Sequence, residues 1–107
     1  MPNKYRAKKT TIDGIKFDSL KEAMRYTELR SLYRAGKIGD LQCHVPYQLV
    51  VNGHKIGRYT ADFVYWDHGI SEEVVEDVKS PATKKARDYV LRKKLMLAIH
   101  GIEIRET

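Results

Sequence analysis

The sequence predicts an α/β domain in which a central mixed β-sheet, an antiparallel meander plus a closing strand, is flanked by two helices. Three observations predict it. Two segments carry helix punctuation at both ends, Ser19 to Gly36 and Ser80 to Gly101. Between them, Leu41 to Lys79 is rich in β-branched and aromatic residues and is interrupted by two turn signals. After the second helical segment, "IEIRE" alternates apolar and polar residues as a short strand does.

Each element has a local reason. "TTIDGIKFD" reads as a short strand or hairpin around Asp13-Gly14. In "DSLKEAMRYTELRSLYRAGKI", Ser19 and Glu22 have the spacing of a capping box, the interior favours helix, and Gly36 supplies the stop, so a helix is expected over roughly 19 to 35. "YQLVV" and "HKIGRYTADFVYW" flank Asn52-Gly53, which favours a type I′ hairpin because both residues tolerate positive φ. "DHGIS" then turns the chain into "EEVVEDVKS", giving a second hairpin. One helix is expected over "SPATKKARDYVLRKKLMLAIHG", with Ser80 as N-cap, Pro81 at N1 and Gly101 as the stop.

With 107 residues, 42% of them apolar, the chain can bury one modest core, so residues 1–107 are expected to form a single domain. The first ten or so, "MPNKYRAKKT", read as a flexible basic tail. Twenty Lys and Arg against 14 Asp and Glu give +6, a field that attracts polyanions, with nucleic acid the leading partner and anionic lipid fitting the same number. The single cysteine, Cys43, cannot form an intramolecular disulfide and reads as a buried thiol. The longest apolar run is Leu95 to Ile99, which predicts a cytoplasmic protein without a membrane partner. The four histidines lack HExxH or HNH-like spacing, and no Walker A, GxGxxG or GxSxG pattern occurs.

The segment "VVEDVKS" places charge in a strand. Alternation puts Val75, Asp77 and Lys79 on one face, and Val74, Glu76 and Val78 on the other. With the turn centred between His68 and Ile70, Asp62 falls opposite Asp77, where cross-strand Cβ atoms are about 5 Å apart. Two carboxylates that close repel unless a cation separates them, and Mg²⁺ or Mn²⁺ takes such oxygen ligands. The plainer alternative is that Asp77 and Lys79 form a weak surface ion pair and that Asp62 is an ordinary edge residue.

"TADFVYW", followed by "EDVKS" with Asp77 fifteen residues after Asp62, resembles the core of the PD-(D/E)xK nuclease superfamily. The likeness is to its small phage-encoded members, Holliday-junction-resolvase-like and restriction-endonuclease-like. Here the opening "KYRAKKTTIDGIKFDSLKEAMRYTEL" matches the segment that precedes the same hairpin, so the resemblance covers nearly the whole chain. It implies a restriction-endonuclease-like core and a catalytic set of Asp62, Asp77, Lys79 and Glu22. Asp62, Asp77 and Glu22 would ligate Mg²⁺ or Mn²⁺, and Lys79 would orient or activate the attacking water. Ala61 stands where the motif's name has proline. Glu22 has a competing use in the capping box, which needs no metal.

The resemblance implies a Mg²⁺-dependent endodeoxyribonuclease, acting on junction or branched DNA in phage DNA processing or recombination within the host cytoplasm. The alternative is a non-catalytic, basic nucleic-acid-binding module on the same fold. Lys84, Lys85, Arg87 and Lys93, with Arg92 and Lys94, form one candidate DNA-binding patch. Because the second helix is expected to begin directly after Lys79, its N-terminus is a candidate phosphate site, although a solvated basic face explains the same residues. Lys8 and Lys9, with Lys4 and Arg6, form a second candidate arm. A homodimer would supply a second site and fix the separation of two cuts.

Overall fold

The computed structural model describes residues 9–107. A hairpin of β1 (Thr10–Ile12) and β2 (Ile15–Phe17) leads into helix α1 (Leu20–Arg34). Strands β3 (Ile38–Val51), β4 (His54–Asp67) and β5 (Glu72–Asp77) follow as the expected antiparallel meander. Helices α2 (Pro81–Lys84) and α3 (Arg87–His100) then carry the chain to β6 (Arg105–Glu106), which lies parallel to β5. The four-stranded order is β3-β4-β5-β6, so the sheet is mixed, and β1 and β2 form a separate pair. Of the basic tail expected at the N-terminus, residues 1–8 lie outside the described residues, and Thr10 already belongs to β1.

The turn residues act as their chemistry dictates. Asn52 and Gly53 have φ of 51° and 79°, the left-handed pair that a type I′ turn requires. Ser19 caps α1 by accepting the Glu22 N–H at 3.0 Å. The reciprocal bond of the box reaches one residue further back, because the Glu22 carboxylate accepts from the Asp18 N–H at 3.0 Å.

The single helix expected over residues 80–101 is divided. Ser80 and Thr83 cap each other and close one turn, after which the Lys85 and Ala86 N–H groups donate to the Ala82 and Thr83 carbonyls, three residues back. Ala86 is extended, with ψ of 130°, and α3 starts afresh at Arg87. The break redirects the chain so that α3 buries Tyr89 and Met96 against the sheet. Two helices predicted become three observed.

The sheet has a helix on each side. Toward α1 lie Phe17, Tyr26, Leu29, Phe63, Tyr65 and Val74; toward α3 lie Leu49, Tyr59, Ala61, Val64, Val75 and Met96. On β4 the odd-numbered side chains therefore change sides, Tyr59 and Ala61 facing α3 but Phe63 and Tyr65 facing α1. The inversion occurs at Asp62. On β3 the same inversion separates Cys43 from Val45, across His44 at φ 55°. Both strands invert together, so the pairs Cys43↔Phe63 and Val45↔Ala61 keep one register.

Glu76, fully buried, faces α1. Arg25 donates to both of its oxygens at 2.7 and 2.9 Å, Tyr65 donates at 2.7 Å and Thr107 at 3.1 Å. Burial raises the pKa of this carboxyl, but the Arg25 and Tyr65 bonds outweigh it and leave the value lowered. A lowered acid stabilises the fold above the ordinary glutamate value and loses that contribution as pH falls through the folded-state value. Arg25→Ala strands the buried charge and is expected to cost about 3 kcal/mol or more in urea unfolding at pH 7. Because Glu76 then binds a proton more tightly in the folded state, this deficit should shrink at pH 4; a deficit equal at both pH values would contradict the assignment.

Candidate functional site

The site forms where β4 and β5 part. Their ladder ends at Phe63↔Glu76, the register expected from the sequence, and Asp62 and Asp77 are the next residues along. Instead of a further ladder bond, the Val78 N–H donates to Oδ2 of Asp62 at 2.8 Å. The Asp62 carboxyl is also within side-chain hydrogen-bond reach of Glu22 and Asp77. Three of the four predicted site residues are thus carboxylates brought together from α1, β4 and β5. Glu22 and Asp77 are buried.

Lys79 completes the group, with Nζ 3.6 Å from Oδ2 of Asp77 and 4.5 Å from the centre of the Tyr89 ring. Its backbone is fixed from two directions, the N–H donating to the Thr107 carbonyl at 3.0 Å and the carbonyl accepting from Lys21 Nζ at 2.8 Å. Tyr59 donates its hydroxyl to Oδ2 of Asp77 at 2.5 Å. The strand alternation deduced from the sequence holds: Asp77 reaches Tyr59 on the α3 side while Glu76 reaches Tyr65 on the other.

The electrostatics separate this cluster from Glu76. Burial, then Glu22 and Asp77, push the Asp62 carboxyl up to about 10, against a weaker pull downward from the Val78 N–H. Burial, then Asp62 and Glu22, push the half-buried Cys43 thiol up to about 11. The Asp62 carboxyl thus favours its neutral form in a cluster with too little positive charge. Among the described residues, no group of three or more His, Cys, Asp or Glu side chains is placed to hold a metal ion. Carboxyl oxygens are the donor type that a hard cation takes, and the backbone and Tyr59 bonds engage Oε2 of Glu22, Oδ2 of Asp62 and Oδ2 of Asp77.

Asp77 and Lys79 open into a cleft of about 410 Å³, whose walls include Arg58, Thr60, Thr83 and Arg92. Asp62 and Glu22 are not among its lining residues. The predicted DNA-binding residues divide. Lys84, Lys85, Arg87 and Lys94 are exposed, whereas Lys93 is 3.4 Å from Glu106 and Arg92 is 3.1 Å from Asp88. Lys9 is exposed; Lys4, Arg6 and Lys8 lie outside the described residues. The helix N-terminus expected beside Lys79 belongs to one-turn α2, too short to develop much dipole, while α3 begins at Arg87. Sequence reasoning missed Arg58, Tyr59, Lys21 and Tyr89. A usable signal existed for the first, since Arg58, Thr60 and Asp62 recur at the strand period.

Fold and site together define a mixed-sheet α/β protein with a buried carboxyl cluster and one lysine beside a cleft. The chain belongs to the family described as "Protein of unknown function (DUF1064)", whose model matches residues 2–105. No curated protein and no solved structure matches it. Among the described residues, no helix is long and apolar enough to cross a membrane.

A carboxyl whose folded-state pKa is raised favours folding below its unfolded value, near 3.8, and opposes folding progressively as pH rises toward about 10. Metal-free protein should therefore lose stability between these limits, on account of Asp62. Asp62→Asn is expected to raise the Tm by a few degrees in chelator at pH 8 and to flatten the pH dependence. Calorimetry across pH 5–9 checks this, and a variant less stable than the parent at pH 8 would refute it.

Proposed function

We propose that this protein is a metal-dependent endodeoxyribonuclease that hydrolyses DNA phosphodiester bonds. The observation that carries the reading is the convergence of Glu22, Asp62 and Asp77 at the end of β4 and β5, with Lys79 3.6 Å from Asp77 at the cleft. Glu22, Asp62 and Asp77 would hold Mg²⁺ or Mn²⁺, which when bound would supply positive charge to the phosphoryl oxygens and make water a better nucleophile.

The rest falls to the chain's own groups. The Lys79 ammonium, held by Asp77 and the Tyr89 ring, orients the attacking water and stabilises the charge that grows on the phosphoryl oxygens. Tyr59 fixes the rotamer of Asp77 through its 2.5 Å bond. Water oxygen bonds to phosphorus and releases a proton to the solvated cleft as the bond to the leaving sugar oxygen breaks, and that oxygen is protonated from the same solvent. The net charge of +6 favours the approach of a polyanion. The match of "TADFVYW" and "EDVKS" to the PD-(D/E)xK pattern supports the same chemistry, and the likeness to junction-resolving members makes branched DNA the substrate to compare with linear duplex.

Purified protein incubated with plasmid and with four-way junction DNA should cleave in Mg²⁺ or Mn²⁺ and stop in chelator. Asp77→Ala and Lys79→Ala are each expected to lower the single-turnover rate by about 10²–10³-fold. Mg²⁺ should raise the Tm of the parent and of Lys79→Ala, but not of Asp77→Ala. DNA binding without metal-dependent cleavage of any substrate would replace this reading with that of a non-catalytic nucleic-acid-binding module.

A further inference from the structure

Strands β3 and β4 are much longer than their neighbours. On β4, β5 pairs with Phe63–Asp67 alone, so among the described residues the part of β4 from His54 to Ala61 has β3 as its one strand partner and forms a two-stranded ribbon. Tyr47, Leu49 and Tyr59 anchor one side of this ribbon on the α3 core, while Pro46, Gln48, Arg58 and Thr60 remain exposed. In a chain with 14 acidic residues, the whole span from Leu41 to Ala61 contains none. Its cations are Lys55 and Arg58, both exposed and neither ion-paired with any described residue. Arg58 and Thr60 also form a wall of the cleft that holds Asp77 and Lys79.

We infer that the β3–β4 ribbon is the surface along which duplex DNA lies beside the cleft, with Arg58 and Lys55 contacting its phosphates. The inference rests on the reading of DNA as the partner, and does not require that the DNA be cut. Charge selects this occupant: along the ribbon a polyanion meets two cations that have no ion-pair partner among the described residues and no acidic side chain of the ribbon itself, whereas Arg92 on the other wall of the cleft is engaged by Asp88. Dimensions agree, because a two-stranded ribbon fits the major groove. From Arg58 to the turn at Gly53 the strand rise carries the ribbon about 17 Å, roughly half a duplex turn along the backbone. The exposed aliphatics at its end, Val50, Val51 and Ile56, then meet base and sugar edges rather than water.

The test measures binding of the full chain to a fluorescein-labelled linear duplex by anisotropy in EDTA, over a series of salt concentrations. Lys55→Glu with Arg58→Glu is expected to weaken binding tenfold or more. The neutral pair Lys55→Gln with Arg58→Gln should lower the slope of log affinity against log salt by about 2, since two phosphate contacts are lost. Both pairs should keep the parent's Tm in EDTA, which confirms the fold without reference to metal binding. Parent-like affinity and slope in the neutral pair would overturn the inference, as would loss of binding only in Lys85→Glu with Lys94→Glu. A concentration-dependent dimer through the ribbon, abolished by Ile56→Asp with DNA affinity unchanged, would also overturn it. Duplex binding that depends on the ribbon in a protein that cuts nothing would uphold it while refuting the nuclease reading.

Discussion

A carboxylate with no exposure to water, Glu76, is gripped by both arms of the Arg25 guanidinium and by the hydroxyls of Tyr65 and Thr107. A charge so placed is tolerated only if its partners are held in place, so it constrains everything that supplies them. Arg25 must stand over β5, which sets the position of α1 along the sheet. Tyr65 ties β4 to the same point. Thr107 brings in the chain beyond β6, where backbone bonds join it to Asp77 and Lys79. Glu22, three residues before Arg25 on α1, is thereby carried to the place where β4 and β5 part.

The two sides of one strand pair have opposite electrostatics. On the α1 side, the lone acid Glu76 has more positive and hydrogen-bonding partners than it needs, and its pKa is lowered. At the opening of the ladder, Asp62 is surrounded by further carboxyls and its pKa is raised, while the Lys79 ammonium is drawn to Asp77. The first arrangement is complete without any ligand. The second is left short of positive charge, and the stability of the domain does not require it to be: Glu76 shows that the same sheet can satisfy a buried acid fully. That contrast supports the proposal that Asp62, Asp77 and Glu22 act as a ligand set.

Much of the candidate site was legible because strand geometry is nearly periodic. Alternation assigned Asp77 and Lys79 to one side and Glu76 to the other, and the turn at His68 to Ile70 fixed the register that brings Asp62 to Asp77. Glu22 was harder to place, because Ser19 and Glu22 satisfy a capping pattern whether or not a site exists; in the structure Glu22 uses one oxygen on the Asp18 N–H and still reaches Asp62. Tyr59 and Tyr89 gave no signal, since aromatic residues on these elements read as core. Their hydroxyls find Asp77 and Glu106 only through packing across β4, α3 and β6.

By itself the sequence determined what depends on near neighbours: the caps of α1, the left-handed turn at Asn52-Gly53, the hairpin registers and the sides on which alternating residues fall. These follow from backbone sterics and hydrogen bonds within a few residues or across one turn. The tertiary structure alone decided the inversion of β3 and β4 at His44 and Asp62, the division of the second helix at Ala86, and the partnership of Glu76 with Arg25. Each serves contacts between segments far apart in the chain, where local preference is weak and burial of the two core faces prevails. The charged strand "VVEDVKS" shows both kinds of control: its period divided the charges between two sides, and the fold gave Glu76 an arginine and Asp77 a second carboxyl as neighbour.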